Sequence, residues 1–119
     1  SDRKGTFMEL SKTDIGDTRI VKVIDPRIDA AVAIQFKDAM RAQTDGGPER
    51  VVLDLSEVSF IDSSGLGAVV AAKKLLNESH VLELAGLTPV VAKVFKLTRM
   101  DTIFTVHEDV NTAVPALAS

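Results

Sequence analysis

The chain has 119 residues, enough for one buried core and too few for two ordinary ones. Hydrophobic residues make up 45% and charged residues 26%, the balance of a folded globular domain rather than a disordered tail. Net charge is −3, and the 14 Lys and Arg are scattered rather than gathered into a stripe, which excludes the electrostatic footprint of DNA or RNA binding.

Chemistry is narrowed further by what is missing. There is no cysteine, hence no disulfide framework, thiolate nucleophile or Cys-based zinc site. No apolar run approaches the ~20 residues that span a bilayer, and the opening Ser1-Asp2-Arg3-Lys4-Gly5 leads into no signal-peptide core. The expected setting is the cytoplasm, with no membrane partner.

In chain order, residues Phe7 to Thr13 and Thr18 to Ile24 read as two strands around a turn at Asp14-Ile15-Gly16-Asp17. After Asp25-Pro26-Arg27-Ile28, Asp29 is expected to cap a helix whose residues Val32, Phe36, Ala39 and Met40 recur on one face, with Gly46-Gly47-Pro48 ending it. Val51-Val52-Leu53-Asp54-Leu55 is a nearly continuous apolar run, the pattern of a strand covered on both faces. Leu66, Val69, Val70 and Leu76 then form a helical stripe before the strand-like run Val81 to Ala85, which makes a βαβ unit with parallel strands.

Thr88 followed by Pro89 marks the start of a third helix, for which Val90, Val91, Val94, Phe95 and Leu97 supply the buried face. Ile103 to Val106 fits a last short strand, and Asp109 to Leu117 a helix that Pro115 cuts short. The order ββαβαβαβα predicts an α/β domain spanning 1–119, with a mixed β-sheet, helices packed on it and right-handed crossovers.

Between the central strand and its helix runs Ser56-Glu57-Val58-Ser59-Phe60-Ile61-Asp62-Ser63-Ser64-Gly65-Leu66-Gly67. It places a carboxylate and two hydroxyls at a helix N-terminus just past a strand's carboxyl end, where sites gather in open α/β sheets. On the residues alone, Asp62 or Ser63 caps the helix and the glycines allow close packing.

This segment, from Val51 to Gly67, together with Thr88-Pro89-Val90-Val91-Ala92-Lys93-Val94-Phe95-Lys96-Leu97-Thr98-Arg99-Met100, resembles the anti-sigma factor antagonists of the STAS domain family. The resemblance implies that Ser63, the first serine of Asp-Ser-Ser-Gly, is phosphorylated by an anti-sigma factor that is itself a serine kinase, with Ser64 its helix-side neighbour. It implies a separate phosphoserine phosphatase as a second partner, and no cofactor. Asp29, in Arg27-Ile28-Asp29-Ala30, matches an acidic residue at the edge of the family's partner-binding surface, so Asp29, Asp62, Ser63, Ser64, Gly65 and Gly67 form the expected interface of a monomer. Pro26 stands where many members have glycine, and Asn77-Glu78-Ser79-His80 replaces a common Gly-Gly turn. Within the same fold, the alternative is a non-catalytic subunit or scaffold of a lipid or anion transport assembly or of a stress-signalling complex.

Other chemistries lack their parts. Asp54 ends a buried strand as the phospho-acceptor of a receiver domain does, but no acidic pair follows the first strand and no Lys-Pro pair a late one. Ile61-Asp62-Ser63-Ser64-Gly65 lacks the first glycine of a nucleophile elbow. Gly65-Leu66-Gly67 begins like a dinucleotide fingerprint, but Val70 occupies the third glycine position. His80 and His107 lack zinc-ligand spacing, so neither a metal nor catalysis is expected.

Overall fold

The computed structural model describes residues 8–118 and begins with a hairpin. Its strands are β1 (Leu10–Ile15) and β2 (Thr18–Val23), paired antiparallel from Leu10↔Val23 to Ile15↔Thr18. The turn is tighter than the sequence suggested: Asp14 and Ile15 belong to the ladder, and Gly16, at φ +58°, supplies the left-handed backbone that a two-residue connection requires. Phe7, the expected start of the first strand, lies outside the described residues.

The remaining elements are β3 (Arg27–Ile28), α1 (Ala33–Thr44), β4 (Arg50–Asp54), β5 (Phe60–Ile61), α2 (Ser63–Leu76), β6 (Val81–Ala85), α3 (Pro89–Leu97), β7 (Val106–His107) and α4 (Val110–Ala113), with 3-10 turns at Met100–Thr102 and Pro115–Ala118. The main sheet has the order β1-β2-β4-β6-β7, antiparallel only at β1, while β3 and β5 form a separate two-stranded parallel pair. The expected ββαβαβαβα order and mixed sheet are therefore present. The small pair was not foreseen, because two-residue strands are too short to show a period.

Strand order determines where the helices go. From β2 the sheet grows one way, through β4 and β6 to β7, and right-handed crossovers then put successive connecting helices on one face. Phe36 and Met40 of α1, Leu66 and Val69 of α2, and Val91 and Phe95 of α3 accordingly share one core with Val21, Val23, Val51, Leu53 and Leu84. On the opposite face Ile20, Val52 and Ala85 meet Ala113 and Val114. Residues Val51 to Leu55 are all buried, as a strand covered on both sides demands.

A polar network ties that second face together. Arg50 donates from Nη2 to Glu83 Oε1 (2.8 Å) and to the Ala113 carbonyl (2.8 Å), and from Nη1 to Thr18 Oγ1 (3.3 Å). His107 Nε2 lies 2.8 Å from the same Glu83 oxygen. Burial alone would raise the Glu83 pKa, but the hydrogen bonds from Arg50 and His107 outweigh it and hold the carboxyl below its ordinary value.

Three local expectations are corrected. The last strand is Val106–His107 rather than Ile103 to Val106, because Phe104 turns into the core and packs edge-to-face on Phe95, with ring centroids 6.0 Å apart. Only Val91 and Phe95 of α3 are fully covered, whereas Val90 and Leu97 are 57% and 74% exposed, since α3 packs on β5 and the Met100–Thr102 turn and buries only a narrow stripe. The C-terminal helix stops at Ala113, four residues before Leu117, and Pro115 opens a 3-10 turn.

Candidate functional site

The site is built where the small β3–β5 pair feeds α2. The Pro26 carbonyl accepts from the Ser59 and Phe60 amides, β3 and β5 pair with Arg27 opposite Phe60 and Ile28 opposite Ile61, and Asp62 N donates to the Ile28 carbonyl at 3.4 Å. Asp62 then caps α2: its Oδ1 accepts from Gly65 N at 2.8 Å, satisfying one of the free amides of the first turn. Its Oδ2 accepts from Ala30 N at 3.2 Å, tying the loop before α1 to the start of α2. The bland capping role thus falls to Asp62, not Ser63.

Ser63 and Ser64 are the first two residues of α2, and both are exposed. Ser64 lines a shallow groove of about 280 Å³ between α1 and α2, with Ala33, Ile34, Lys37 and Gly67 among its walls. Gly67 is exposed, and a Cβ there would touch nothing within 4 Å. Gly65 is the opposite case. It is buried, and a Cβ would lie 1.8 Å from the Ile28 carbonyl oxygen, so only glycine lets α2 approach β3 this closely. Gly65 contributes to the surface by allowing that approach.

Asp29 sits beside this motif but does not cap α1. Its Oδ1 accepts from Ala31 N at 3.1 Å and its carbonyl from Val32 N, a local turn that competes with helix and delays α1 to Ala33, whose N-cap position is held by Val32. Asp29 Oδ2 pairs instead with Arg27 Nε at 3.1 Å. Thr88 likewise occupies the N-cap position of α3 without capping it, because its hydroxyl donates to the Val58 carbonyl at 2.7 Å and anchors the chain leading into β5. Asp54 accepts from Ser56 N at 2.9 Å and serves as a turn former at the end of β4.

The structure thus brings together Asp29, Asp62, Ser63, Ser64 and Gly65, with Gly67 one turn along α2. It adds Arg27, Ile28, Ala30 and Phe60, which sequence reasoning did not single out. Arg27 lies over the Phe60 ring, 4.1 Å from its centroid. The available signal was the pair of Pro26-Arg27-Ile28-Asp29 and Phe60-Ile61-Asp62, similar apolar-acidic endings that only pairing makes neighbours.

Comparison with known proteins places this geometry. The sequence matches the STAS domain family over residues 9–113. A Bordetella bronchiseptica relative, BtrV, named as a candidate anti-sigma factor antagonist, is 34% identical over 101 residues, covering 84% of this chain and 87% of its own. A Listeria monocytogenes anti-sigma-B factor antagonist is 38% identical over 79 residues, covering 64% of this chain and 68% of its own. In fold, the crystal structure of an anti-sigma factor antagonist from Mycobacterium paratuberculosis superposes with a TM-score of 0.79 at 24% identity, covering 94% of this chain and 95% of that one. With the family match running from β1 through α4, the chain belongs to the STAS domain family.

Proposed function

We propose that the chain is an anti-sigma factor antagonist: unphosphorylated, it binds an anti-sigma factor with serine kinase activity and so releases a sigma factor, and phosphorylation of Ser63 ends that binding. The observation that carries the reading is the exposed Ser63 hydroxyl at the first position of α2, beside an Asp62 that already does the capping and so leaves Ser63 free for another role. The names of the relatives support the choice of partner.

In the modification, the kinase transfers the γ-phosphoryl group of ATP to Ser63 Oγ, the hydroxyl proton is lost and ADP departs. A separate phosphatase uses water to cleave the Oγ–P bond, restores the hydroxyl and releases inorganic phosphate. The domain is the substrate of both steps.

The added group carries about −1.5 to −2 charges at pH 7. The amides and dipole of the α2 N-terminus stabilise it, while Asp62, one residue away, opposes it by like-charge repulsion. The switch is then a local electrostatic and steric block on the surface of Asp29, Asp62, Ser63, Ser64 and Gly67, with α2 packed close on β3 at Gly65, in a monomer that works in the cytoplasm.

Intact-mass spectrometry after incubation with ATP and an anti-sigma kinase from the same organism tests this. One phosphate is expected on the wild type and on Ser64→Ala and none on Ser63→Ala. If the wild type neither binds nor is modified by any such kinase, the reading fails and the transport or scaffold role replaces it.

A further inference from the structure

Arg27 is held by two contacts that leave most of its donors unspent. Its guanidinium stacks 4.1 Å over Phe60, and only Nε is engaged, donating to Asp29 Oδ2 at 3.1 Å. The side chain is 55% exposed, and Nη1 and Nη2 hold no hydrogen bond among the described residues. Those two nitrogens carry four of the five guanidinium N–H donors, in the fork that suits phosphate.

Its direction follows from register. Parallel β3 and β5 set Arg27 opposite Phe60 and Ile28 opposite Ile61, so a guanidinium leaning forward to Asp29 reaches the level of Asp62, the residue before Ser63. The bond from Ala30 N to Asp62 Oδ2 keeps the two strand ends together at that level. The charged groups of the elements meeting there are the carboxylates of Asp29 and Asp62, Arg27 on β3, and Lys37 on α1, across the groove from Ser64.

A phosphate on Ser63 would enter a neighbourhood with two carboxylates, and it offers three oxygens where Asp29 now uses one. We infer that Arg27 is the internal receptor of a phosphate on Ser63: its guanidinium leaves Asp29 and closes on the phosphate through Nη1 and Nη2 while remaining stacked on Phe60. The inference rests on the function proposed above only in placing a phosphate at Ser63. Its consequence is that modification changes the surface twice. It adds the phosphate, and it withdraws the exposed Arg27 cation from the surface, leaving the Asp29 carboxylate without its ion pair.

The test uses the full chain with phosphoserine installed at position 63 during translation, so that no kinase is needed. In a ³¹P NMR titration the phosphate's second pKa should lie below its ordinary value near 6, rise by about 0.5 in Arg27→Gln and stay at the wild-type value in Lys37→Gln. The Arg27 Nε–H resonance should move between the unmodified and phosphorylated chains, and Arg27→Lys should restore part of the lowered pKa. An unchanged phosphate pKa in Arg27→Gln with an unmoved Nε–H resonance overturns the inference, as does a rise found in Lys37→Gln instead. Because the phosphate is built in, these outcomes say nothing against kinase recognition of Ser63, which the mass measurement tests separately.

Discussion

Replacing Gly65 by alanine adds one methyl carbon, and two terms of opposite sign decide the result. In an exposed helix the change from glycine to alanine stabilises by about 1 kcal/mol. Here the new Cβ would lie 1.8 Å from the Ile28 carbonyl oxygen, 2.6 Å from its carbon and 3.1 Å from Ile28 Cγ2, so backbone has to give way. Moving α2 off β3 by on the order of 1 Å costs about 1–3 kcal/mol as overpacking. It also stretches the bonds from Asp62 N to the Ile28 carbonyl and from Ala30 N to Asp62 Oδ2, each worth about 1 kcal/mol. The net loss is about 2–4 kcal/mol, which at a slope of about 1.5 kcal/mol per molar lowers the urea midpoint by roughly 1.3–2.7 M. Gly67→Ala, two residues further along the helix and facing open space, is the control and should raise the midpoint by about 0.6 M. A Gly65→Ala midpoint within a few tenths molar of wild type, or both variants moving the same way, would refute the close-approach argument.

Asp62→Ala removes the α2 cap and the tie to Ala30 and should cost about 1–2 kcal/mol in urea unfolding, whereas Asp62→Asn, whose single acceptor oxygen can keep the cap but not the bond from Ala30 N as well, should retain about half of that stability. Equal losses in the two variants would mean that charge, not acceptance, matters there. Glu83 titrates below its ordinary value in the folded chain, so it contributes stability above the unfolded-state pKa near 4.5 and loses it as pH falls through the lower folded value. The urea midpoint of wild type should therefore fall more steeply than that of Glu83→Gln as the pH is taken below about 4.5, and parallel curves would sink the network's role.

Much of this architecture is legible in short stretches of sequence. Val51 to Leu55 reads as a central strand because burial on both faces demands an unbroken apolar run, and the stripe of Leu66, Val69 and Leu76 reads as a helix because one face is covered. The element order with its βαβ units already implies the parallel core of the sheet, and Asp62-Ser63-Ser64-Gly65 marks the place of the candidate site. These features depend on local periodicity and capping chemistry, which the chain writes within a dozen residues.

What only the tertiary structure decided are relations between distant segments. Asp29 looks like a helix cap from its neighbours alone, yet it closes a turn and pairs with Arg27. Val90 and Leu97 fit an apolar helix face, but packing on β5 and the following turn covers only Val91 and Phe95. Arg27 and Phe60 are 33 residues apart, and no periodicity announces two-residue strands; their pairing arises when the Pro26 and Ile28 carbonyls find the Ser59, Phe60 and Asp62 amides. Gly65 gains its meaning the same way. Its missing Cβ matters because another segment's carbonyl stands where that atom would be, a constraint that exists only once the chain has folded back on itself.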